Sequence, residues 1–317
     1  MEYIDLQNLL EYLLSISSEY REILNLDDSL VFGLDTEYKF NNAKEIEKMV
    51  KEINNTYFPY NDKYKVMYNH VLFNFLKQEN SISIDTPVFS DSNIFYEILK
   101  ELLVKLEKSN VELSDNKGLH IHVDLSYFEE DTNTLINFLK VFAIYENILF
   151  RFGYGDSDFC SNNSNLISKP SSNIIYDYLI NKNKSLDFYK SIEELKRILI
   201  CKGYSINFHD KDKNVKNETI ELRFFNNTFN PVIIQNYISL VGNLFSSVKN
   251  NNVDLELLDY KFDNYNRNLY NLENYSTLDS INAIEFADNI FSNSQDEEYF
   301  LKQYFIKEKV KIKQLVS

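Results

Sequence analysis

Three short stretches of the chain each set two reactive side chains two residues apart. Asp35 and Glu37 lie in GLDTEYKF, His120 and His122 in GLHIHVD with Asp124 two further on, and Glu221 and Arg223 in TIELRFF. On a β-strand, residues i and i+2 point to the same face. Two carboxylates about 6–7 Å apart repel by about 2–3 kcal/mol at an effective dielectric near 20. In open water that pair is harmless. In a cleft it needs a cation, and hard carboxylate oxygens suit Mg²⁺ or Mn²⁺. His-x-His is either a satisfied polar face or a metal-binding pair, and two of the four histidines lie in it. Glu221 and Arg223 can be a plain ion pair on a sheet. A guanidinium beside a metal-binding carboxylate is also a clamp for a phosphoryl group, because it offers several donors and keeps its charge. Each pair alone has a bland reading. Together, carboxylates, imidazoles and one guanidinium from three strands compose a face suited to divalent-metal phosphate chemistry.

The elements that position these residues show in the hydrophobic pattern. Leu34, Tyr38, Ile121, Val123, Ile220, Leu222 and Phe224 alternate with the reactive residues and seat the strands on helices at the other face. Extended segments are expected at 30–40, 64–69, 81–89, 119–125, 204–209 and 219–225. The runs 111–113 and 119–125 flank a turn and read as a β-hairpin, and 204–209 with 219–225 as a second. A helical period of about 3.6 covers 5–24, 43–53, 94–106 behind Asp91 or Ser92, 132–149 behind Asp131 or Thr132, 188–200, and 231–244 behind Asn230. Beyond residue 250 two more helices are expected, at 279–291 and 296–313. The lysines at 307, 309, 311 and 313 then form a solvated helix end. Residues 55–62 around Pro59 read as a turn region. Residues 153–187, broken by Gly153, Gly155 and Pro170, read as a long loop.

The chain has 317 residues and 44% hydrophobic content, enough to bury a real core. The expected organisation is an N-terminal helix over 1–27, a catalytic domain over 28–250 and a helical extension over 251–317. A net charge of −15 argues against general nucleic-acid binding. The six glycines spell neither GxxxxGK[ST] nor GxGxxG, which excludes P-loop and dinucleotide cradles as motifs. Cys160 and Cys201 form no CxxC and read as small core residues. Acidic Glu2 and Asp5 stand where a signal peptide needs positive charge, and no run of about 18 apolar residues suggests a membrane span. A cytoplasmic protein with no membrane partner is expected. The oligomeric state is left open.

FGLDTEYKF, GLHIHVD, YSINF and TIELRFFNNTFNP, in this order, resemble the amidoligase family, within the glutamine synthetase-like carboxylate–amine ligases. The family pattern opens with a G-aliphatic-E-x-E strand, continues with G-x-H-x-H, and closes with E-x-R-x-F-N-x-T leading into a helix. The resemblance covers about 30–247. It implies an α+β fold: a mostly antiparallel sheet backed by helices, a glutamine synthetase-like core, and extra helices at both termini. It also implies ATP and Mg²⁺ or Mn²⁺ over the open face. A substrate carboxylate is phosphorylated, and an amine then displaces phosphate to give an amide. By position, Asp35, Glu37, His120 and Glu221 match metal ligands, and Arg223 matches the arginine that neutralises the transferring phosphate. Asn207 and Arg223 match nucleotide or substrate contacts. His122 matches a residue that steadies the nucleotide, and it or a nearby carboxylate is the base that takes the amine's proton.

The chain departs from the pattern in three places. Asp35 stands where relatives usually carry Glu. Ser83 stands near a Glu that precedes a Ser-Pro step, with Asp85 close by. Arg151 and Cys160 offer an Arg and a Cys at an altered spacing, as lid residues. Two other readings compete with the ligase. A metal-dependent hydrolase could use His-x-His, but it needs a third strong ligand. Only His70 and His209 remain, neither in a ligand-like motif. A catalytically silent binding or scaffold protein on the same fold is the other. The carboxylate and amine substrates, whether peptide, protein or small molecule, are not selected by any residue.

Overall fold

The computed structural model describes residues 3–40, 48, 57–60, 63–68, 71–77, 81–109, 111–113, 118–153, 168–181, 187–199, 203–212, 215–267 and 277–306. After α1 (Tyr3–Ser15) come β1 (Phe32–Lys39), β2 (Tyr57–Tyr60), β3 (Lys63–Tyr68), β4 (Val71–Lys77) and β5 (Ser81–Asp85). Then follow α2 (Asn93–Lys108), β6 (Glu112–Leu113), β7 (Leu119–Asp124), a 3₁₀ turn (Leu125–Phe128) and α3 (Thr132–Gly153). The chain continues through α4 (Ser172–Asn181), α5 (Phe188–Ile198), β8 (Ile206–Asp212), β9 (Val215–Phe225) and α6 (Pro231–Lys249). It closes with α7 (Leu255–Asp263), α8 (Thr277–Ile290) and α9 (Ser294–Phe305). The class is α+β, as expected. One nine-stranded sheet runs β2-β3-β4-β5-β1-β7-β9-β8, with β6 beside it on β1. Every pairing between named strands is antiparallel.

Helices cover one face of this sheet. α3 lies at their centre, and its Leu135, Phe138, Leu139, Phe142, Ile148, Leu149, Phe150 and Phe152 are all fully buried. A large apolar cluster runs from Leu10 to Phe305 and takes in β1, β7, β8 and β9 together with α3, α6, α8 and α9. A smaller one joins Tyr38, Phe73, Phe75, Ile82 and Ile84 to Ile98, Leu102 and Leu106 of α2. Gly153 ends α3 where a Cβ would lie 2.2 Å from the Phe224 carbonyl oxygen, so only glycine permits this approach to β9. Among the described residues, no helix is long and apolar enough to cross a membrane.

Several elements differ from the sequence pattern. The first helix stops at Ser15 rather than near Leu24. Gln235 instead holds the backbone of Arg21 in a non-helical course, accepting from its N–H and donating to its carbonyl. Tyr57–Tyr60 is a strand, not a turn. It lies at the sheet edge, where Pro59 costs no needed ladder bond. Val71–Lys77 is an additional strand. The expected hairpin of 111–113 with 119–125 does not form, because β6 and β7 each pair with β1, at Tyr38–Lys39 and at Phe32–Asp35. The long loop contains α4, and α7 is a further helix. α9 covers Ser294–Phe305, and residues 307–313 of the helix expected there lie outside the described residues. Apart from residue 48, the helix expected at 43–53 lies outside the described residues, as do Cys160, Cys201 and the four C-terminal lysines.

Asp131 starts α3, as its type suggests. Its carboxylate accepts the N–H groups of Asn133 and Thr134, both at 3.1 Å, and the Thr134 hydroxyl at 2.6 Å. The Thr134 hydroxyl leads in holding this carboxyl below its usual range, against a smaller opposing effect of burial. Because the folded-state value is depressed, this stabilisation is present above the unfolded value and is lost as pH falls through the folded one. Asp131→Ala is therefore expected to cost about 1 kcal/mol near neutral pH, with the gap to wild type shrinking below about pH 4. Urea midpoints across that range measure it. A gap that stays constant would mean the cap is not an ionised one.

Candidate functional site

Strand alternation sorts the side chains. Leu34, Ile121, Val123, Ile206, Phe208, Ile220 and Leu222 are buried against the helices. Their neighbours Asp35, His120, His122, Asn207, His209, Glu221 and Arg223 therefore share the opposite face. Register brings them together. Asp35 lies across from His120, while His122 and Asn207 flank Glu221 from β7 and β8.

Glu221 is the hub of the cluster and is itself buried. Its Oε1 lies 2.6 Å from Nη1 of Arg223, 3.1 Å from Nδ1 of His120 and 3.7 Å from Nε2 of His122. Its Oε2 lies 2.6 Å from Nε2 of His209. Asp35 Oδ2 is 3.5 Å from Nδ1 of His120. Burial alone would favour a protonated Glu221, but the His120 and His209 imidazoles overturn that and hold it ionised well below the carboxylate range. Asp35 follows the same balance, with burial opposed by His120 and the outcome a lowered value. For His120, burial disfavours the charge, yet Asp35 and Glu221 outweigh it and raise the value. Burial pushes His122 down to about 4 despite the pull of Glu221, so its ring is neutral at pH 7.

One donor atom each from Asp35, His120 and Glu221 lies within 4.8 Å of the other two. Nδ1 of His120 is buried and close to both carboxylates, yet it makes no aligned hydrogen bond to either. A buried imidazole nitrogen set between two carboxylate oxygens without an aligned hydrogen bond is a donor set that fits a divalent cation. Two hard oxygens and one imidazole suit Mg²⁺ or Mn²⁺. Glu37 stands apart from this trio. It is buried, and its carboxylate accepts the hydroxyls of Ser81 at 2.6 Å and Ser83 at 3.4 Å. Ser83 thus faces Glu37 across the β1–β5 pair, and Asp85 faces Asp35.

By sequence His209 is set aside as lying in no ligand-like motif, and the structure brings it to the cluster. It sits two residues after Asn207 on β8, so the strand period itself was the available signal. Its Nε2 lies 2.9 Å from Nδ2 of Asn207, and its ring centroid 6.3 Å from that of His122. Arg151 is no lid residue. It is buried in α3, donating through Nε to the Tyr304 carbonyl at 3.3 Å with its guanidinium over the Tyr304 ring. His70 lies outside the described residues.

A family model described as "Putative amidoligase enzyme" matches residues 21–244. The chain belongs to the amidoligase family. The match contains every residue of the cluster and stops within α6, before α7, α8 and α9. No curated protein matches the chain. The family description points to an amide-forming ligase, in keeping with the motif order on β1, β7, β8 and β9.

Proposed function

We propose that this amidoligase is an ATP-dependent carboxylate–amine ligase working through an acyl phosphate. The observation that carries the reading is the shared carboxylate. Glu221 sits in the Asp35–His120 cation cluster and also holds Arg223 at 2.6 Å. Asp35, His120 and Glu221 would hold Mg²⁺ or Mn²⁺, and the ion would neutralise phosphate oxygens and orient ATP. Arg223 adds a fixed positive charge at the place where phosphate charge develops. A substrate carboxylate oxygen takes the γ-phosphoryl group and ADP leaves. The amine nitrogen then attacks the acyl carbon, the C–O bond to phosphate breaks, and the amide forms. The nitrogen's proton goes to neutral His122 or to a neighbouring carboxylate. Asn207, on the same face as Glu221, would contact the nucleotide or substrate. The carboxylate and amine partners are a peptide, a protein or small amino acids, in a cytoplasmic setting.

ADP release with Mg²⁺, ATP and a panel of amino acids and peptides tests the reading, with hydroxylamine as a general amine that traps acyl phosphates as hydroxamates. Arg223→Ala is expected to lower turnover by about 10²–10³-fold while keeping Mn²⁺ binding, because Glu221 is then freer to take the ion. Unchanged turnover in that variant would count against the clamp. His209 beside Glu221 keeps a hydrolase reading alive, since it brings a third imidazole to the face. Zn²⁺-dependent cleavage without ATP would favour that reading, and its absence alongside hydroxamate formation would remove it.

A further inference from the structure

The two halves of the cation cluster sit on strands that do not touch along their length: β7 separates β1 from β9. Past the site the separation closes. Phe225 pairs with Leu119 at the very start of β7, next to a β-bulge, so the chain beyond Phe225 clears β7 and meets β1 directly. Asn227 makes that meeting. Its side chain is 1% exposed. Its Nδ2 donates to the Glu37 carbonyl at 2.6 Å. Its Oδ1 accepts the Thr36 hydroxyl at 2.7 Å and the Thr228 N–H at 3.0 Å. Two residues on, the Phe229 ring stacks on Tyr38 at 5.2 Å and 11°.

We infer that Asn227 is a positioning residue that sets the spacing between the β1 carboxylates and the β9 pair Glu221 and Arg223. Thr36 lies between Asp35 and Glu37, and Asn227 grips both that residue and the next carbonyl. A shift of β1 by a fraction of an ångström would move Asp35 relative to Glu221 while leaving each strand intact. The amide suits the task because it donates to one strand group and accepts from another at once. An aspartate could not donate to the carbonyl, and an alanine could do neither. Residues that orient metal ligands at one remove typically shift metal affinity by about 10–100-fold when lost.

This inference rests on the cation-site reading proposed above, and the experiment separates the two. Mn²⁺ alone is titrated into the full chain, free ion being read by electron paramagnetic resonance, for wild type, Asn227→Ala, Thr36→Val and Glu221→Gln. Asn227→Ala should weaken Mn²⁺ by about tenfold and Thr36→Val by less, and the double variant should be no worse than Asn227→Ala. Ile290→Val, a buried core change on α8 away from the amide, serves as the stability control and should keep wild-type affinity. Loss in Glu221→Gln with wild-type affinity in Asn227→Ala and Thr36→Val overturns the positioning role. If Asn227→Ala does not fold, wild-type affinity in Thr36→Val overturns it alone. No Mn²⁺ binding by wild type, or none lost in Glu221→Gln, overturns the cation site itself.

Discussion

Glu221→Gln is expected to lose Mn²⁺ or Mg²⁺ binding and ligase turnover together. The carboxylate contacts His120, His209 and Arg223 at hydrogen-bond range, and His122 slightly beyond it. Its amide keeps the shape but removes the charge that a hard cation needs. The loss of affinity should exceed the about 10–100-fold seen for residues acting at one remove from a metal. The same change leaves Arg223 and two imidazoles around a neutral group, one of whose amide hydrogens points at a donor. That mismatch should cost about 1–3 kcal/mol of stability. Calorimetric Mn²⁺ titration and a thermal melt of the same sample read both effects. Binding within about threefold of wild type, a difference under 1 kcal/mol, would remove Glu221 from the site and with it the proposal that β9 supplies a metal ligand.

The site was readable because strand alternation is a local rule. LHIHVD alternates buried and half-buried residues along β7 as its pattern demands. Once Asp35, His120 and Glu221 are each assigned to the polar face of a strand, only strand order and register remain to bring them together. The family pattern gives the order of the motifs along the chain, while the adjacency β1-β7-β9 and its register belong to the tertiary structure. His209 lies on the expected strand, two residues after Asn207, but the family motif YSINF ends one residue before it, so no motif marks it as a site residue. Glu37 shows the limit of spacing arguments. It shares a face with Asp35, yet its carboxylate turns toward Ser81 and Ser83 on β5, and nothing local encodes that choice.

Element errors arose where tertiary contacts overrode local pattern. The sequence from 111 to 125 has the alternation and the turn of a hairpin. Both strands instead dock end to end on β1, because a central strand offers longer pairing than a two-residue partner can. α4 was hidden in a polar stretch. Its start is held by the buried Glu146, which accepts Ser171 N–H at 2.7 Å and Ser172 N–H at 2.9 Å and so meets the unpaired donors of a helix N-terminus. α1 ends early because Gln235, more than two hundred residues away, takes up the backbone that a longer helix would have used. In each case the deciding partner is remote in sequence.

Ending the chain at residue 250 is expected to abolish cooperative folding, not merely trim an appendage. α8 and α9 bury Phe286, Ile290, Phe300, Leu301, Tyr304 and Phe305 in the same cluster as Phe152 and Tyr237. At about 1.5–3 kcal/mol each, these side chains approach the about 5–15 kcal/mol that keeps a domain folded. The cut also removes Asp296, which is buried and pairs with Arg21 at 2.6 Å while accepting Ser239 Oγ at 2.7 Å. Arg21 would lose both its counter-charge and the Tyr299 ring that its guanidinium covers. Phe300→Ala, which loses the ring stacked on Phe152 at 4.8 Å, should keep the fold and lower stability by about 3–5 kcal/mol. Circular dichroism melts distinguish the outcomes. If the shortened chain melts cooperatively at the wild-type midpoint, the contacts of α8 and α9 contribute little, and these helices would then be free to serve a partner instead of the amidoligase core.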